Sequence, residues 1–126
     1  MQRLSAAFPV QGALTWTNSA DVHEINRSLP LTLSWSGGPS NASVLIAAAS
    51  VDIGQRASGL TVCSSTPGAT SFQIPAYALD NLPGQTRGVI YLGVSPAAAA
   101  RTFTAAGLDQ GVAFGLTLVG KTVAFN

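Results

Sequence analysis

His23 is the one histidine of the chain and Cys63 the one cysteine, so these two residues bound the acid–base and nucleophilic chemistry available to it. A serine or cysteine nucleophile needs an imidazole base, with a carboxylate behind the ring to orient it. On an extended segment Asp21 and His23 share one face, so an Asp-His pair for a hydrolase can be drawn. The reading adopted instead is an exposed polar strand near the domain edge. Cys63 follows Leu60, Thr61 and Val62 and reads as a small packing hydrophobe rather than a reactive thiol. A lone cysteine excludes an internal disulfide and any multi-cysteine zinc site.

The carboxylates Asp21, Glu24, Asp52, Asp80 and Asp109 show no D-x-D or D-x-N spacing, so no calcium loop is expected. Nothing selects a pair of them for glycoside hydrolysis. No Gly-rich phosphate loop, HExxH or G-x-S-x-G motif occurs. The expectation is therefore no catalytic, cofactor-binding or metal-ligating residue, and no cofactor. Trp16, Trp35, Tyr77 and Tyr91 could line a sugar-stacking platform, but both tryptophans are expected in the core. Asn26-Arg27-Ser28 and Asn41-Ala42-Ser43 match the N-glycosylation pattern, which arises often by chance.

The elements that would position these residues are strands. In residues 29–39, Leu31, Leu33 and Trp35 alternate with Thr32, Ser34 and Ser36, the period of a half-buried strand. Pro30 opens it and Gly37-Gly38-Pro39 stops it. Short strands are expected at 13–17, around Trp16, and at 22–27. Residues 44–51 form a nearly continuous apolar run, short and β-branched at both ends, which favours a central strand covered on both faces, with a helix left as the alternative by its alanines. Further strands are expected at 60–64, 71–75, 89–94 and 102–105. Pro75 opens one helical turn over 76–82, closed by Pro83-Gly84. Residues 97–100, all alanine, read as a helical turn or a small-residue loop. At the end, 112–119 and 122–125 flank Gly120-Lys121, a pair suited to a two-residue hairpin turn.

Counted together, the elements predict an all-β fold, a sandwich or barrel of about 7–9 antiparallel strands with one short helical turn near 76–82. Residues 1–12 are expected to be an N-terminal arm or linker and 13–126 the domain. At 126 residues the chain is long enough to bury a core without metal or disulfide. Only 9% of residues are charged, against roughly 25% in an ordinary domain, so Ser, Thr, Asn, Gln, Gly and Ala must make the surface. Such a neutral surface suits an extracellular module, a subunit of an assembly, or both. The six basic residues are scattered singly, which disfavours nucleic acid as a partner. No apolar run reaches the length of a membrane span. Residues 1–12 lack the continuous apolar segment of a signal peptide.

Several stretches carry a resemblance. They are Leu14-Thr15-Trp16-Thr17-Asn18, Ile25-Asn26-Arg27, Leu33-Ser34-Trp35-Ser36-Gly37-Gly38 and Val62-Cys63. They continue with Ser71-Phe72-Gln73-Ile74-Pro75, Leu79 with Leu82-Pro83, the run from Phe103 to Asp109, and the closing run from Lys121 to Asn126. In order and spacing the chain resembles the C-terminal immunoglobulin-like modules that end large secreted or surface proteins of Solibacter-type soil bacteria. The resemblance implies an extracellular sandwich appended to a longer polypeptide, with no established activity and no functional residues to carry over. It also implies that a lone cysteine at position 63 is a usual feature.

Two functional expectations follow. One is a non-catalytic extracellular module, a spacer, terminal cap or adhesive domain in contact with other domains of its polypeptide, with surface glycan or with matrix. It predicts a monomer. The other is a self-assembling structural subunit, joined to neighbouring subunits when the arm at 2–12 adds as a strand to a sheet edge. It predicts an oligomer lost when the arm is deleted. A hydrolase using Asp21 and His23 is a distant third.

Overall fold

Strand β3 (Leu31–Ser36) is the centre of a small sheet, with β1 (Thr15–Trp16) on one side and β6 (Ser71–Ile74) on the other. Both pairings are antiparallel, and they set Trp16 opposite Trp35 and Leu33 opposite Phe72. The alternation read from the sequence is the one observed: Leu33 and Trp35 are buried while Thr32 and Ser36 are exposed. The computed structural model describes residues 12–97, 100–107 and 109–126. The expected arm at 1–12 falls almost wholly outside these residues, as does the middle of the alanine run at 97–100.

A larger sheet holds β2 (Glu24–Ile25), β4 (Val44–Asp52), β5 (Ala57–Ser64), β7 (Thr86–Val94) and β10 (Leu118–Phe125), in the order β2-β10-β7-β4-β5. A third, two-stranded sheet pairs β8 (Arg101–Phe103) with β9 (Gly111–Ala113). The chain is mostly β, with 48% strand and 7% helix among the described residues. The helical part is a 3-10 turn at Ser19–Asp21 and the short helix α1 (Ala76–Asp80). Pro75 precedes α1 in extended conformation, the geometry in which its missing N–H costs nothing.

The two larger sheets share one core. Trp16, Leu33, Trp35 and Ile74 enter it from the small sheet, and Ile46, Ile90, Leu92, Val123 and Phe125 from the large one. Leu79 of α1 and Leu82 after it seal one end. Each such side chain contributes about 2 kcal/mol on leaving water, so packing rather than strand propensity sets this arrangement.

Four expectations change. Gly120-Lys121 does not turn the chain: β10 runs straight through both residues, pairing with β7 along its whole length. Gly120 lies opposite Tyr91, and a Cβ there would overlap the Tyr91 ring, so the glycine makes room for an aromatic side chain rather than for a bend. The sheets are not purely antiparallel, because β2 pairs parallel with β10, setting Glu24 beside Ala124 and Ile25 beside Phe125. Ten strands form among the described residues: 22–27 supplies only the two-residue β2, 101–113 contributes the short pair β8 and β9, and the two segments expected on either side of Gly120-Lys121 give the single strand β10. Finally, β4 is central but covered on one face only: Val44, Ile46, Ala48 and Ser50 are buried while Leu45, Ala47 and Ala49 stay partly exposed.

Candidate functional site

The Asp-His pair loses its premise. Asp21 ends the 3-10 turn, where its N–H donates to the Asn18 carbonyl at 3.1 Å, so 21–23 is not a strand with a common face. His23 and Asp21 are both exposed, and no ion pair joins His23 to a carboxylate among the described residues. The His23 backbone does have a role: its carbonyl accepts from the Ala124 N–H at 2.9 Å, which starts the parallel seam of β2 on β10.

Cys63 stands on the inward side of β5, opposite Ile46, and packs against the core while remaining half-buried. Loss of water around the thiol raises its pKa above the ordinary value, which disfavours the thiolate that any nucleophilic chemistry would need. No cluster of three or more His, Cys, Asp or Glu gathers among the described residues.

Trp16 and Trp35 are core residues, and each indole N–H is satisfied. Trp35 Nε1 donates to the Ala69 carbonyl at 3.0 Å, and Trp16 Nε1 to Asn18 Oδ1 at 2.8 Å. The Trp35 edge forms part of a cleft of about 270 Å³ between the β3–β4 and β5–β6 connections, lined by Gly38, Ser40, Thr70 and Val94 among others. It carries no titratable side chain, so it could seat an apolar group but not polarise one.

A second cleft, about 220 Å³, lies between Arg27, Ser28, Tyr77 and Asp80. Arg27 Nη1 donates to the Asp80 carbonyl at 3.2 Å and to the Leu82 carbonyl at 2.9 Å, which ties the β2–β3 connection to the end of α1. The Asp80 carboxylate is 3.6 Å from the same nitrogen and largely exposed. This is first a structural clamp. Beside it, Tyr77 projects into solvent at 76% exposure.

The most unusual surface is the outer face of the large sheet. Register places Leu60 opposite Ala49, Val62 opposite Ala47, Ala47 opposite Tyr91, and Leu45 opposite Gly93. Gly93 in turn faces Leu118 on β10, and a Cβ there would meet Leu118 and Leu116 together. Across β5, β4, β7 and β10 the outward residues are Leu, Val, Ala, Tyr and Gly, with Ser and Thr at the margins and Arg87 at one corner. Leu60 is 69% exposed and Val62 60%. Antiparallel sheets ordinarily face water with polar residues, so this face is the feature that sequence reasoning missed. Its signal was the nearly continuous apolar run of β4.

Comparison with known proteins yields no relative: no family model, no curated protein and no solved structure matches the chain.

Proposed function

We propose that the chain is a non-catalytic immunoglobulin-like contact module, carried outside a bacterial cell at the end of a larger secreted or surface protein of the Solibacter type. The strand partition is the observation that carries this reading. Immunoglobulin-like sandwiches hold the strands lettered A, B and E on one sheet and C, F and G on the other. Taking β1, β3 and β6 as A, B and E, and β4, β7 and β10 as C, F and G, follows that partition in chain order. On this assignment β2 is the first strand switched to the far sheet, and β5 is an added edge strand beside C. Two antibody hallmarks are missing, since Trp35 sits on B rather than C and a lone cysteine forms no B–F bridge. A chain in which only 9% of residues are charged supports display in an extracellular setting over work on charged ligands.

The test has two arms. Fractionation of the native host should find the domain in the medium or on the protease-accessible surface; recovery from the cytoplasm overturns the location. A broad hydrolase substrate panel should show no turnover. Turnover that disappears in His23→Ala overturns the non-catalytic reading.

A second reading, assembly by strand addition, draws on β5. Among the described residues β5 pairs only with β4, and its free edge over Ala57–Ser64 contains neither a charge nor a proline to block a further strand. Deletion of 1–12 is its test.

A further inference from the structure

We infer that the outer face of the β10-β7-β4-β5 sheet is a homodimer interface, on which a second copy of the chain packs face to face about a two-fold axis. Three observations carry it. The first is composition. β4 has the nearly continuous apolar sequence of a strand buried on both sides, yet only its inner side meets the core among the described residues.

The second is charge. The middle of the face presents Leu60, Val62, Ala47, Tyr91 and Leu118, with no charge of either sign. Such a surface is complementary to itself, since two copies meet without like-charge repulsion and without leaving a buried ion unpaired. It offers an unlike partner no electrostatic feature to select. A second copy brings the same Leu, Val and Tyr surface, and permanent homodimer interfaces resemble a domain core cut in half.

The third is size. Leu60, Val62, Val51, Tyr91, Leu116 and Leu118 together expose on the order of 600 Å², before half-buried Leu45 and Val89 are counted, against roughly 800 Å² per partner in a stable interface. Sheet faces stack about 10 Å apart, the same geometry that closes the core on the opposite side. Tyr91 lies near the centre, held across Gly120, as the aromatic anchor.

Equilibrium sedimentation over a wide concentration range should give twice the 12.8 kDa chain mass. Val62→Lys together with Leu60→Lys places unpaired charge at the interface and should raise the dimer dissociation constant roughly 30-fold or more. Ile53→Lys, in the exposed β4–β5 turn, should leave it unchanged. Methyl spectra of the unmodified protein on dilution provide a readout that needs no variant: the Leu60, Val62 and Leu118 signals should move while those of Leu33 and Ile74 stay still. A monomer at every concentration overturns the inference. So does a dimer that survives the double substitution, or one abolished by deleting 1–12, which would assign the contact to the arm. A dimer replaces the monomer expected of a contact module from sequence, but it reads neither location nor catalysis, so this result and the two tests of the proposed function fall separately.

Discussion

The ring of Tyr91 reaches over Gly120, its partner on the adjacent strand, into space that any side chain at position 120 would need. On the inner face of the same strand pair the roles are exchanged, and Gly88 of β7 admits the ring of Phe125 from β10, with the Ala49 carbonyl also crowding it. The two sites differ in one respect. Tyr91 is partly exposed and can swing outward, whereas Phe125 is fully buried and cannot.

Gly88→Ala should therefore cost about 3 kcal/mol or prevent folding, while Gly120→Ala should cost about 1 kcal/mol, both read from chemical denaturation. Tyr91→Ala combined with Gly120→Ala should recover the part of the smaller loss that the ring causes, leaving the milder crowding by the Ile90 carbonyl at 2.9 Å. Equal costs at the two glycines would show that the backbone, not the rings, sets the limit.

Asn18 fastens the β1 end to β3. Its Oδ1 accepts from Trp16 Nε1 at 2.8 Å and from the Ser34 N–H at 3.0 Å, while its Nδ2 donates to the Thr32 carbonyl at 2.9 Å. Asn18→Ala should destabilise by about 1–3 kcal/mol, because two donors lose their acceptor. Asn18→Asp keeps both acceptor bonds but turns a carboxylate oxygen toward the Thr32 carbonyl. It should fall between wild type and alanine in thermal denaturation, with its deficit shrinking at acid pH.

Arg27 holds α1 through carbonyls more than through its ion pair. Asp80→Asn should change stability by no more than about 0.5 kcal/mol, since that carboxylate is 74% exposed and screened. Arg27→Ala should cost about 1–3 kcal/mol by releasing the Asp80 and Leu82 carbonyls. The guanidinium lies over Gly84, where a Cβ would overlap it. Gly84→Ala should consequently mimic Arg27→Ala, and the double variant should be no worse than either single one.

Cys63 gives the pH dependence. Its native pKa is raised by desolvation, so the fold holds the neutral thiol. Below the ordinary value of 9.0 both states are protonated, and this contribution to stability is complete. As pH climbs past that value the unfolded chain loses its proton first, and the contribution is gone above the native pKa. Stability should fall in the alkaline range, and Cys63→Ala should flatten that fall. Labelling of the native thiol should be slow without denaturant; rapid labelling would show a freely exposed sulfur.

The sequence by itself determined the local elements whose limits are covalent. Pro30 and the Gly37-Gly38-Pro39 stop bound β3, and Pro75 and Pro83 bound the region of α1, because proline and glycine act on the backbone wherever the strand pairs. Two-residue alternation likewise told which sides of Leu33, Trp35 and Ile74 face inward. Only tertiary structure decided what Gly120 is for. A glycine permits a turn and permits close approach equally well, and the choice belonged to Tyr91, 29 positions earlier. The same holds for the outer sheet face, where Leu60, Ala47, Tyr91 and Leu118 come from four separate strands. Their contiguity is a property of pairing register, and register is fixed by burying the other side of the sheet.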